Sequence, residues 1–148
     1  MAAQVGKLHS EDQASFSGID AKIMLGGDGP LTVLDMTVAP ERGAPAHTSN
    51  SEDKIFVVKD GRLTFLVGKD RIVADCCDTV SVPRGVIHSF TAMDGKNARM
   101  TLVSTPARHD RFFKAMGNLA EPHDQSEVQA ICEKFDQAIV GPVVTAKS

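Results

Sequence analysis

Between residues 21 and 107, apolar and polar positions interleave in short runs: AKIMLGG, LTVLDMTV, KIFVVK, RLTFLVG, RIVA, TVSVP, VIHSFTA and ARMTLVST. Gly, Pro, Asp and Asn clusters separate them at intervals of roughly 8 to 12 residues, the spacing of an antiparallel sandwich or barrel. In RLTFLVG, Leu63, Phe65 and Val67 share one face, while Leu66 joins Thr64 on the other. An apolar residue on that second face predicts that it too is covered, by a second sheet or a second subunit. Asp60-Gly61 predicts a tight type I′ hairpin, and Gly68-Lys69-Asp70 the turn of the next one.

Past Pro106 the period becomes helical. RHDRFFKAMGN sets Phe112, Phe113 and Met116 on one side of a helix that Gly117 stops. HDQSEVQAICEKFDQAIVGP predicts a second helix: Ser126 and Gln129 fit a capping box, Val128, Ile131, Cys132, Phe135 and Ile139 form one apolar packing stripe, and Gly141-Pro142 ends it. The first 18 residues are polar and predict an extended or disordered arm. The expected organisation is an N-terminal arm over 1–19, a β-barrel over 20–107 and a C-terminal helical extension over 108–148.

A chain of 148 residues makes one domain that buries roughly 70% of its unfolded surface. Its 16 basic and 19 acidic residues give a net charge of −3 with no block of like charge, so neither nucleic acid nor a membrane surface is an expected partner. No run has the length and apolarity of a signal peptide or a membrane span, and the expected location is cytoplasmic. Of three cysteines, Cys76 and Cys77 are adjacent and none lies in a CxxC pattern. They are expected to be buried or half-buried thiols, not a disulfide framework or a zinc knuckle. Trp and Tyr are absent, so a pocket would be lined by Phe, Met and aliphatic side chains, without phenols.

The candidate chemistry centres on His47 and His88, each near the start of a β-run after a turn containing proline. GAPAHTSNSEDKIFVVKDG resembles the first sequence motif of the cupin superfamily, matching at Pro45, His47, Phe56, Val58 and Gly61, with the leading glycine displaced to Gly43. CDTVSVPRGVIHSFTA resembles the second, with Pro83, Gly85 and His88 at the family's spacing and Asp78 and Phe90 where the family commonly has them. The tail from Thr105 is similar to the C-terminal extension of small single-domain, quercetin-dioxygenase-like cupins. The resemblance implies an all-β, jelly-roll β-barrel and a homodimer joined through sheet edges or exchanged N-terminal strands.

It also implies a degenerate metal site. Of the family's four usual ligands only His47 and His88 are present; Ser49 stands at the second histidine, Lys54 at the glutamate, Ala92 at the asparagine of the second motif and Cys77 at its leading glycine. A transition metal takes three or more protein ligands, and an ammonium aimed at the same centre repels it. Lys54 is therefore expected to replace the metal as the positive centre of the pocket. A buried lysine must lose its proton, pair with a carboxylate such as Asp53 or Asp35, or bind an anion. Two other readings stay open: Lys54 snorkels outward, or a one-residue slip lets His47, Asp53 and His88 hold a divalent metal such as Fe or Mn.

The expected function is a small-molecule-binding cupin that needs no cofactor and that, if it is an enzyme, transfers a proton in an isomerase, cyclase or lyase reaction on a small cyclic or anionic metabolite. His47, Lys54 and His88 are the candidate catalytic residues, with Ser49, Phe56 and Phe90 against the ligand. The alternatives are a metal-dependent, dioxygenase-like cupin and a non-catalytic binding or sensor module.

Overall fold

A computed structural model describes residues 4–10, 12–27 and 29–146. The strands are β1 (Asp12–Phe16), β2 (Ile19–Leu25), β3 (Thr32–Val38), β4 (Gly43–Ser49), β5 (Asp53–Asp60), β6 (Leu63–Val67), β7 (Asp70–Ala74), β8 (Thr79–Val82), β9 (His88–Ala92), β10 (Ala98–Thr105) and β11 (Gln137–Val143). Two helices, α1 (His109–Gly117) and α2 (Gln125–Lys134), lie between β10 and β11. The strands form two antiparallel sheets, ordered β1-β2-β3-β10-β5-β8 and β11-β4-β9-β6-β7. Their inner faces enclose one apolar core, with Leu34, Met36, Phe56, Phe65, Met100 and Leu102 at its centre. This is the expected jelly-roll barrel, and the eight β-runs of the sequence are β2, β3 and β5 to β10. No helix among the described residues is long and apolar enough to cross a membrane.

Several local expectations differ from the structure. Asp60-Gly61 does not close a hairpin: β5 pairs with β10 and β8, whereas β6 pairs with β7 and β9. The dipeptide carries the chain from one sheet to the other. Gly61 is needed there because its φ is 74° and a Cβ would come 3.0 Å from Ala98 Cα. The next turn does close a hairpin, with Val67 opposite Asp70 across Gly68-Lys69. On β6, Leu63 and Phe65 enter the core while Thr64, on the opposite face, is buried as well.

Residues 12–16, read from sequence as part of an arm, form β1 against β2. The side chain of Asp124, not of Ser126, caps α2, accepting the amide hydrogens of Ser126 and Glu127. The helix stops at Lys134, and Asp136, at φ 57°, turns the chain into β11. Ile139 therefore belongs to an edge strand paired with His47 of β4, and is 48% exposed instead of extending the helical stripe. An edge position accommodates Gly141-Pro142, which fall where the β11 register shifts. Cys132 is buried, but Cys76 and Cys77 are exposed because their turn lies outside the sheets.

Candidate functional site

The alternation of β5 builds the centre of the site. Side chains at successive strand positions point to opposite faces, so Glu52, Lys54, Phe56 and Val58 are buried together while Asp53 and Ile55 are exposed. Lys54 is 2% exposed, which rules out the outward snorkelling reading. Asp53 points away from the barrel, where its carboxylate accepts the Arg84 amide at 3.0 Å and pairs with the Arg84 guanidinium at 3.3 Å. The set His47, Asp53 and His88 is thus not assembled. Nor is Asp53 or Asp35 the carboxylate partner of Lys54: Asp35 pairs with Arg99 at 3.3 Å, and the negative charge that favours the Lys54 ammonium is Glu52.

His47 and His88 are cross-strand neighbours on β4 and β9, with ring centroids 4.1 Å apart. His47 Nδ1 lies 2.7 Å from the Pro45 carbonyl oxygen and His88 Nδ1 lies 2.9 Å from that of Val86. A carbonyl oxygen only accepts, so each Nδ1 carries the proton and each Nε2 is left as an acceptor. Lys54 Nζ then donates to His88 Nε2 at 3.1 Å. Burial pushes the Lys54 ammonium down to about 7, against the opposing charge of Glu52. Burial and the neighbouring Lys54 charge lower His88 to about 3 and hold His47 well below the ordinary imidazole range. Both histidines are neutral near pH 7.

A second polar group, not foreseen from sequence, adjoins this one. Glu52 Oε2 lies 2.8 Å from His109 Nδ1 on α1, a close contact bent away from ideal hydrogen-bond alignment. Two unprotonated acceptors would not approach so closely, so His109 Nδ1 carries the proton. Burial and Lys54 lower His109 to about 4, and it too is neutral. Burial pushes the Glu52 carboxyl up, but the His109 contact and the nearby positive charges outweigh it, so its pKa falls below the ordinary value. Gln137 of β11 donates to Glu52 Oε1 at 3.4 Å and accepts from Ser49 Oγ at 2.5 Å.

These groups end a cavity of about 270 Å³ that opens between the barrel and the two helices. His47, Lys54, His109 and Gln137 form its polar end; Phe56 and Phe90 line it from the barrel, and Phe16, Phe112 and Phe113 from β1 and α1. His88 and Ser49 stand one step behind, His88 holding Lys54 and Ser49 holding Gln137. Ser49, read from sequence as a ligand contact, has its hydroxyl committed to Gln137 and does not line the cavity.

The donors present do not fit the family's metal. His88 Nε2 is engaged by Lys54, Ser49 by Gln137, and the nearest carboxylate, Glu52, by His109 and Gln137. Among the described residues no three His, Cys, Asp or Glu side chains converge as a metal site.

Glu52 was legible in principle. Counting back by twos along β5 from Val58 and Phe56 reaches Lys54 and then Glu52, a carboxylate two positions before the family's glutamate and on the same face. His109 and Gln137 carry no such signal, since only the tertiary fold brings α1 and β11 to the barrel mouth.

The family of the Cupin domain matches residues 34–104, the stretch that holds both motifs. Those residues are the ones that carry the match to the cupin superfamily, and the barrel they form agrees with it. No curated protein sequence matches it, but solved structures share the fold. Pac13 from Streptomyces, a nucleoside dehydratase, is 19% identical, with a TM-score of 0.63 over 95% of this chain and 95% of Pac13. KdgF from Halomonas sp. is 19% identical, with a TM-score of 0.62 over 72% of this chain and 99% of its own. An RmlC-like cupin from Shewanella frigidimarina is 17% identical, with a TM-score of 0.58 over 71% of this chain and 89% of its own. At these identities the likeness establishes the fold and not the reaction.

Proposed function

We propose that this cupin binds a small cyclic or anionic metabolite in its barrel and transfers a proton on it, with Lys54 as the acid/base group and no metal. The observation that carries this reading is the buried contact of Lys54 Nζ with His88 Nε2 at 3.1 Å. A proton-transfer group works best with a pKa near the operating pH, and Lys54, brought down to about 7, meets that condition. Sequence reasoning assigned proton abstraction to a histidine; His47 and His88 lie too far below neutrality to suit it as well.

As a free amine, Lys54 takes a proton from an acidic C–H of the ligand and becomes an ammonium beside the enolate it has created, which it stabilises in a site of low dielectric. It returns the proton at another carbon in an isomerisation, or to a departing hydroxyl in an elimination. The neutral Nε2 of His47 accepts a hydrogen bond from a ligand hydroxyl, and the Phe walls take a flat ring. Pac13 is a dehydratase and has been solved with uridine, which makes nucleosides sensible members of a first ligand panel together with small cyclic keto and hydroxy acids.

The test is proton NMR in deuterium oxide on that panel, comparing wild type with Lys54→Met, with and without a chelator. The reading expects C–H exchange or conversion that the chelator leaves unchanged and Lys54→Met abolishes. Equal turnover by Lys54→Met, or loss of turnover with chelator, contradicts it. Binding without exchange by the wild type would replace it with the binding or sensor reading.

A further inference from the structure

Against the C-terminal end of β5, the turn Asp75-Cys76-Cys77-Asp78 joins β7 to β8. Neighbouring side chains on an extended chain point to opposite sides. Here Cys77 has a φ of 75°, and the two Sγ atoms lie side by side, 3.4 Å apart. Both thiols are exposed. The turn is fastened at each end: the Cys77 amide donates to the Val58 carbonyl at 2.8 Å, the Val58 amide donates to the Asp78 carbonyl at 3.0 Å, and the Asp75 amide donates to the Asp78 carboxylate at 2.8 Å. The thiols are thus held together by backbone geometry and not by chance rotamers on a loose loop.

We propose that Cys76 and Cys77 form a reversible vicinal disulfide, a redox modification site separate from the barrel cavity. Adjacent Cα atoms are about 3.8 Å apart across a trans peptide, closer than in ordinary disulfides, so the small ring is strained and readily reduced. No third metal-ligating side chain converges on the pair among the described residues, which favours sulfur chemistry over a metal site. The hydrogen bond that the Cys76 thiol donates to Cys77, the Cys77 charge, desolvation and the carboxylates of Asp60 and Asp75 raise the Cys76 thiol above its ordinary pKa. Closure removes two electrons from the pair and so needs a supplied oxidant of the small-disulfide class, such as oxidised glutathione.

The reaction balances in two exchanges. One cysteine sulfur, as thiolate, attacks the small disulfide, breaks its S–S bond and releases one molecule of reduced thiol, leaving a mixed disulfide. The neighbouring sulfur then loses its proton and attacks the protein sulfur of that mixed disulfide, releasing the second thiol. The protein gives up two electrons and two protons, which the oxidant takes up. Because Val58 anchors the turn and shares the inward face of β5 with Lys54, the ring is tied to the strand that carries the candidate site.

The test incubates the full chain with oxidised glutathione, alkylates it under denaturing conditions and maps the peptides by mass spectrometry. The expected wild-type product has lost two hydrogens within the peptide holding Cys76 and Cys77, regains both on treatment with dithiothreitol, and leaves Cys132 alkylated. Cys77→Ser is expected to stop at a stable glutathione adduct on Cys76. A glutathione adduct persisting on the wild-type pair, a disulfide joining two chains, or both cysteines fully alkylated in the wild type would each overturn the proposal.

Discussion

Lys54 of β5 reaches across the barrel to His88 of β9, its Nζ donating to a neutral imidazole nitrogen at 3.1 Å. The amine thereby occupies the bond that a metal would make to that histidine. The Nδ1–H groups of His47 and His88 already bond to backbone carbonyls, the arrangement that orients an imidazole for a metal at Nε2. Lys54→Glu should therefore restore a third ligand and remove the repelling charge. Elemental mass spectrometry after incubation with manganese, iron, nickel and zinc is expected to find near-stoichiometric metal in Lys54→Glu and far less in the wild type. Equal, stoichiometric loading of both would mean that the lysine does not exclude the ion.

The depressed lysine pKa links to stability at alkaline pH. The unfolded chain holds the Lys54 proton up to the ordinary lysine value, whereas the folded protein releases it near 7, so between those values the unfolded state binds more protons and stability rises with pH. The penalty is fully present below about 7 and amounts to on the order of 5 kcal/mol for a shift of this size. Lys54→Met lacks it. Urea unfolding from pH 7 to 10 should show the wild type gaining on Lys54→Met as pH rises; a constant difference would mean that the folded-state lysine titrates normally.

Acid should act through the buried histidines. His47, His88 and His109 are all held below the ordinary value of about 6.5 by burial first and by Lys54 second. The unfolded state picks up protons that the folded state refuses, so the neutral histidines' contribution is intact above about 6.5 and is lost as pH falls from there toward 4. Each contributes up to about 1.4 kcal/mol per pH unit. Denaturant midpoints should drop steeply over this window, and the drop should be shallower in His88→Gln.

Gly43 supports the cavity floor. Its φ is 135°, and a Cβ would come 2.2 Å from the carbonyl oxygen of Phe90, a cavity residue on the paired strand. Gly43→Ala must push β4 from β9, with a loss of more than about 1 kcal/mol. Thermal unfolding measures this, and an unchanged midpoint would contradict the close approach.

The barrel was legible because its signal is local. Period-two runs such as LTVLDMTV and turn clusters fix strand identity, and the spacing of Pro83, Gly85 and His88 fixes one wall of the site. What sequence misassigned depended on distant partners. Asp60-Gly61 has hairpin chemistry, yet the strands it joins pair elsewhere. Ile139 continues the apolar spacing of α2, but Asp136 in a left-handed conformation diverts the chain into β11. The place of Lys54 in the pocket was what the family resemblance implied, and Glu52 lay on the same face of the strand, whereas His109 of α1 and Gln137 of β11, which engage Glu52, reach it only through the tertiary fold.

The most direct test of Lys54 as the acid/base centre is an NMR titration of the folded protein with labelled lysine side chains, in wild type, Lys54→Met and Glu52→Gln. One lysine signal should titrate near 7, be missing in Lys54→Met, and titrate lower still in Glu52→Gln because the carboxylate that favours the ammonium is gone. A wild-type spectrum in which every lysine titrates at the ordinary value of about 10.4 would contradict the account.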